Sequence, residues 1–335
     1  PDRTLASSWH PWFSNGTPQL PIQEDETALV VWALWHHFVK YRDIEFIKPL
    51  YKPLIKSAAD FMCSFRDKAT GLPAQSYDLW EEHRGIWSFT VSAVFGGLTA
   101  ASLFCTVFGE SQRAEEYRKA ASEIRDAAST YLWRPDLNRF CRMVYRNAQG
   151  ELQVDSIRDS SIWGLFAFGL YSADDPRIVS TMSDLKDALW VGPGVGGMAR
   201  YENDYYHQAS KDVPGNPWFV CTLWLADFFA ERATDEKGIA EAVDLLKWVT
   251  DHALPSGILA EQVHPFTGAP LSVSPLTWSH ATFVATVHRI LRRLGAIKTC
   301  PECGSPLTDR EKRDDWIQRL YSEACDEIHG MCRIE

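Results

Sequence analysis

The chain reads as an all-α fold in which an inner ring of helices is wrapped by an outer ring, and three features of its 335 residues carry that reading. Apolar residues recur at three- and four-residue spacing in about nine segments, which places them on one face of a helix. The segments alternate in character, and one that is apolar nearly all round must be enclosed by others. Between them stand Gly71-Leu72-Pro73, Pro193-Gly194, Pro214-Gly215 and Pro255-Ser256-Gly257, the residue types that end helices and start turns.

In chain order the predicted helices cover about 23–41, 45–66, 87–108, 110–133, 159–171, 175–190, 216–232, 235–252 and 275–294. Segment 87–108, with VSAVFGGLTAASLFCTVF, is apolar on nearly every face, whereas 110–133, with ESQRAEEYRKAASEIRDAAS, is polar on most. Segments 159–171, 216–232 and 275–294 also read as buried, and their successors carry charge. One short strand pair is expected at 139–155, where RFCRMVY and ELQVDS flank the turn-like Asn147-Ala148-Gln149-Gly150. No fixed-period repeat is visible beyond the alternation of helices.

Composition narrows the function. A net charge of −10 without a basic run argues against a nucleic-acid partner, because phosphate binding needs clustered Lys and Arg. No apolar run is read as reaching the roughly 18 residues of a membrane span, so no membrane partner is expected. Aromatic residues make up 13% of the chain and include 14 Trp, the side chain best suited to stacking on pyranose rings.

The densest chemistry lies in YDLWEEHRGIWSFT, from Tyr77 to Thr90, where Trp80 is followed by Glu81 and Glu82 among further aromatic residues. A carboxyl desolvated by such rings is raised toward the pKa that a general acid needs at neutral pH. Read alone, Glu81 is equally a helix N-terminal Glu favoured by the helix dipole. A glycosidase needs a second carboxylate across the sugar, and Glu261, followed by Gln262 and Trp278, is the candidate; its alternative is an ordinary surface carboxylate. Arg200 lies among tyrosines in ARYENDYY and suits hydroxyl recognition or an ion pair, and Trp218 suits either a sugar face or the start of a core helix.

These blocks resemble the glucoamylase family of inverting glycoside hydrolases, family 15, which includes glucodextranases and some trehalases. The resemblance runs in order through QEDETALVVWALW, SYDLWEEHRGIWSFT, GMARYENDYY, GNPWFVCTLWLA, LAEQ and PLTWSHA. It implies an (α/α)6 barrel, with Glu81 as general acid, Glu261 as general base, Glu82 and Arg200 binding substrate, and Trp80, Trp218 and Trp278 lining the sugar pocket. It also implies a cofactor-free reaction that releases β-D-glucose from non-reducing ends of α-1,4-glucans or maltooligosaccharides. Trehalase or glucodextranase activity, or a carbohydrate-binding fragment without activity, are the alternatives. The family's Trp-x-Arg-Asp motif, which holds the terminal glucose, does not occur in this chain. The first block, at Gln23, corresponds to about the fourth helix. The expectation is therefore a barrel lacking its first helices, with an incomplete sugar pocket and little activity by itself.

The catalytic domain is expected over 1–295 and a Cys-containing helical tail over 296–335. In the tail, Cys300, Cys303, Cys325 and Cys332, with His329 nearby, suit a tetrahedral structural zinc, disulfides or free thiols. Cys63, Cys105, Cys141 and Cys221 are expected to pack as small hydrophobes. Compartment and oligomeric state are not read from the sequence.

Overall fold

The computed structural model describes residues 22–298, together with the backbone of 13–14 and 17–18. The predicted zinc ligands Cys300, Cys303, Cys325 and Cys332, and nearly all of the 296–335 tail, lie outside the described residues. The helices are α1 (Glu24–Tyr41), α2 (Ile44–Leu50), α3 (Ser57–Ser64), α4 (Ser88–Val107), α5 (Ser111–Tyr131), α6 (Gly164–Ala167), α7 (Pro176–Leu189), α8 (Phe219–Arg232), α9 (Glu236–Asp251) and α10 (Thr277–Ile297). The predicted 45–66 helix is α2 and α3 joined by a π-helical stretch, Tyr51–Lys56, which contains Pro53 and follows Pro49. Proline removes an intrahelical donor and crowds the preceding turn, so the ladder widens there.

Burial separates two layers. Every residue of α4 from Ser88 to Cys105 is buried, as is nearly all of α8, whereas α5, α7 and α9 bury one stripe each. α4 packs between α1 and α5, and α8 between α9 and α10. Where α1 meets α4, Gly97 lets the backbones approach: a Cβ there would stand 2.9 Å from the Ala28 carbonyl oxygen. By length and composition α4 would cross a membrane, which corrects the reading that no apolar run is long enough. Its enclosure by neighbouring helices makes it a core helix of this fold.

Three further expectations change. The 159–171 segment is a short 3-10 turn, Ser160–Trp163, running into α6. Gly164 lies tight against α4, where a Cβ would meet Ser92 Oγ at 2.8 Å, and Gly169 turns the chain at φ 81°. In 139–155 only Met143–Arg146 pairs with Leu152–Asp155, while Arg139–Phe140 pairs with Trp133–Arg134. The backbone between them is committed to α4, because the Cys141 and Arg142 carbonyls accept from Ser88 Oγ and Ser88 N. Finally, α10 is not enclosed. It packs on α8 and α9 from one side, and Val284 and Leu291 on the other side are more than half exposed among the described residues.

Two small antiparallel sheets sit at one end of the layers. One runs in the order Ser76–Tyr77, Arg84–Trp87, Met143–Arg146, Leu152–Asp155; the other runs Pro270–Leu271, Gln262–Val263, Pro217–Trp218, Met198–Ala199. Contacts between the first turns bring the N-termini of α1, α4, α8 and α10 to this same end. Thr90 of α4 donates to Asp25 of α1, and Trp80 neighbours both Trp218 and Trp278. None of these four helices has a side-chain N-cap bond, whereas Asp43, Asp175 and Asp235 cap α2, α7 and α9. The partial positive charge of uncapped N-termini favours carboxylates at that end.

Candidate active site

The turn from Asp78 to His83 is built around one buried aspartate. Asp78 Oδ1 accepts from the backbone N–H of Glu82 at 2.9 Å and of His83 at 2.8 Å, and its carbonyl oxygen accepts from Glu81 N and from Gln23 Nε2. The result is a knuckle with Glu81 at its tip in the left-handed region, at φ 61°. A non-glycine residue held there is strained, and such strain persists where the surroundings over-determine it. Burial pushes the Asp78 carboxyl up to about 6, against the two N–H groups that favour its charged form.

Behind Glu81, Trp80 is nearly buried and its indole Nε1 donates to both oxygens of Asp159, at 3.2 and 3.1 Å. Trp80, Trp218, Trp224 and Trp278 form a wall, with ring centroids of Trp80 5.7 to 5.9 Å from the other three. Trp163 stacks on Trp224 at 4.9 Å and extends it.

Beside the wall, Arg200 is held from every side. Its guanidinium meets Glu82 at 2.6 Å and Asp204 at 2.7 Å, and lies over the rings of Trp80, Tyr201, Tyr206 and Trp218 at 4.7 to 5.2 Å. Tyr201 donates its hydroxyl to the other oxygen of Glu82 at 2.5 Å. Burial together with that acceptor holds the Tyr201 hydroxyl protonated far above its usual range. Glu82 is thus neutralised by Arg200 rather than free to repel a charge on Glu81. Glu26, in the first turn of α1, is pushed above its ordinary value by partial burial and then by the Glu81 carboxylate.

The second carboxylate comes from the other sheet. Glu261 immediately precedes the strand whose Gln262 pairs with Trp218. Its backbone N–H donates to Val273 O, and its side-chain oxygen accepts a short hydrogen bond from Ser272 Oγ. Gln262 is fully buried and fixed by Asn216, whose amide donates to Gln262 Oε1 at 2.7 Å and to the His207 carbonyl at 2.8 Å. Glu261 and Glu81 are therefore joined through Gln262, Trp218, Arg200 and Glu82.

All seven side chains singled out from the sequence, Trp80, Glu81, Glu82, Arg200, Trp218, Glu261 and Trp278, stand on these adjoining loops and helix starts. Sequence reasoning missed Glu26, Asp78, Asp159, Tyr201 and Asp204. Asp78 and Asp204 lay inside quoted motifs, and the acid-rich start of α1 was a signal for Glu26; Asp159 had none. Among the described residues no cluster of His, Cys, Asp and Glu could hold a metal ion.

Comparisons with known proteins show the family and the fold. The family model described as "Glycosyl hydrolases family 15" matches residues 18–247 and 239–288. An uncharacterized glycosyl hydrolase of Methanocaldococcus jannaschii is 28% identical over 288 residues, covering 83% of this chain and 43% of that protein. A glucoamylase of Clostridium sp. is 27% identical over 298 residues, covering 82% of this chain and 40% of its own length. Trehalases also match, over a shorter stretch. A bacterial glucoamylase solved with acarbose superposes with a TM-score of 0.67 at 24% identity, covering 83% of this chain and 42% of that one. The fold is that of these neighbours, the (α/α)6 barrel class. The chain spans about two fifths of the length of the relatives it matches.

Proposed function

The chain belongs to glycosyl hydrolase family 15, and from that premise we propose that it carries the catalytic pair of an exo-acting, inverting glucan hydrolase. The substrate is an α-1,4-glucan or maltooligosaccharide, cut at its non-reducing end to release β-D-glucose. The observation that carries this reading is the pair of loop-borne carboxylates, Glu81 and Glu261, linked through Glu82, Arg200, Trp218 and Gln262.

In this mechanism Glu81 gives its proton to the glycosidic oxygen as the bond from that oxygen to C1 breaks. Water attacks C1 from the opposite face and Glu261 takes its proton, so the configuration inverts. The knuckle at Asp78 aims Glu81, and Ser272 holds the Glu261 carboxylate by one oxygen. The Trp80, Trp218 and Trp278 rings suit the apolar faces of a pyranose, and Arg200, held in place by Glu82 and Asp204, suits hydroxyl recognition. The two acidic partners also keep the guanidinium protonated. No cofactor enters any step of this scheme. A structural zinc remains a proposal for the tail, where Cys300, Cys303, Cys325 and Cys332 supply four thiolates.

Product release from maltose, maltooligosaccharides, isomaltose and trehalose by the natural full-length protein tests the substrate. Glucose is expected from the first two at the highest kcat/KM. Preference for isomaltose or trehalose would move the assignment to a glucodextranase or trehalase, and release from none would leave a carbohydrate-binding protein.

A further inference from the structure

Asp159 is fully buried, lies 79 positions from Trp80 in sequence, and makes no contact that the proposed chemistry requires. Its carboxylate nevertheless receives the indole N–H of Trp80 with both oxygens. Oδ1 also caps the 3-10 turn through Ser161 N at 2.8 Å, and Arg142 stands 3.6 Å from Oδ2. The next residue pins a second part of the site: Ser160 N donates to the Arg200 carbonyl at 2.8 Å, and Ser160 Oγ to the Ala199 carbonyl at 2.7 Å. Arg142 closes the arrangement. It bonds Asp155 at 2.8 Å and lies over Tyr201 at 5.3 Å, the residue whose hydroxyl holds Glu82.

We propose that Asp159, braced by Arg142, is a positioning residue that locks the Trp80 indole and through it the aim of the neighbouring acid Glu81, while its own turn fixes Arg200. Trp80 and Glu81 share a peptide bond, and Glu81 sits in a backbone conformation that needs external support. A side-chain anchor on the residue before it supplies that support. Carboxylates make the stronger acceptors for N–H donors, and the fully buried Asp159 is held by two of them, Trp80 Nε1 and Ser161 N, with Arg142 3.6 Å away. The inference rests on the assignment of Glu81 as acid, and its consequence is specific: loosening the anchor impairs proton donation more than it impairs water attack or binding.

The test compares maltose, whose leaving group needs a proton, with α-D-glucosyl fluoride, whose leaving group does not, in the natural full-length protein. Asp159→Asn keeps the volume and one acceptor; Trp80→Phe keeps the ring and removes the N–H. Asp159→Asn is expected to lower kcat on maltose about 10- to 100-fold, the scale of a misplaced catalytic group, with KM changed less than about 3-fold and glucosyl fluoride turnover within about 3-fold of the parent; Trp80→Phe, which also alters a ring of the sugar pocket, is expected to lose more on maltose than on glucosyl fluoride. The double variant is expected to be no worse than the poorer single one, because the two act through one bond. Equal losses on both substrates, or no loss on either, in both single variants would overturn the positioning role and leave Asp159 a structural residue. Glu81→Gln serves as the reference. If it too loses both substrates equally, the acid assignment fails and the brace fails with it; if it is selective while Asp159→Asn and Trp80→Phe are not, only the brace fails.

Discussion

Glu81 and Glu261, the proposed acid and base, sit in different settings. Glu81 is presented at the tip of a strained knuckle, against an indole and near Glu26, while Glu261 is tied by Ser272 beside a fully buried amide. Replacing Glu81 or Glu261 by Gln keeps the volume and removes the proton transfer. Each change is expected to lower kcat on maltooligosaccharides by about 10²- to 10⁴-fold, with thermal stability near that of the parent. Near-parental turnover in either variant would dismiss that residue from its role. Asp25, next to Glu26 in the first turn of α1, is buried. Burial lifts it from 3.8 to about 7, and the folded protein therefore binds a proton that the unfolded chain releases. Stability from this group is present below about pH 4 and is lost as the pH rises through 7. His36 works in the opposite sense, because burial lowers it to about 4 and stability rises as the pH climbs toward 6.5. Urea denaturation of Asp25→Asn and parent across pH 4 to 8 separates the two. The variant is expected to gain relative stability as the pH rises, by up to roughly 4 kcal/mol; a pH-independent difference would contradict the assignment.

At the scale of elements, four helix starts meet at the site, and their relative positions depend on how closely α1 and α4 pack. Gly97 sets that distance, since a Cβ would also stand 3.0 Å from Ala28 Cα and 3.1 Å from Ala28 Cβ. Gly97→Val is expected to force α1 away, costing about 1–3 kcal/mol as overpacking does, and to lower kcat by shifting Gln23 off Asp78. A parental melting temperature in that variant would mean the helices have room to spare. The elements themselves were legible because period and alternation are local properties, and α1, α4, α5, α8 and α9 match their predicted spans within three residues. The 139–155 hairpin was legible in its inner part, Met143–Arg146 with Leu152–Asp155, but not in where it stops, because the competing claim on Cys141 and Arg142 comes from Ser88, more than fifty residues away. The exposure of α10 was hidden for a related reason. Its composition reads as a buried helix, and burial depends on what else packs against it.

For the whole molecule, the residues that would touch sugar were readable from ordered blocks, whereas those that hold them in place were not. Asp159 carries no motif, and only the folded chain brings it to the Trp80 indole. Glu82 shows the converse: a carboxylate next to Glu81 in sequence is spent on Arg200 and Tyr201 in space, and Glu81 acts on Glu26 from another part of the chain. The central claim of the proposed mechanism is that two carboxylates, Glu81 and Glu261, act with a water between them. Proton NMR of the glucose first formed from maltotriose by the natural full-length protein, recorded before mutarotation, tests that claim most directly. β-D-glucose is the expected product of direct displacement by water. α-D-glucose appearing first would mean a covalent intermediate on one of these carboxylates, and would contradict Glu81 as the general acid and Glu261 as the general base of an inverting reaction.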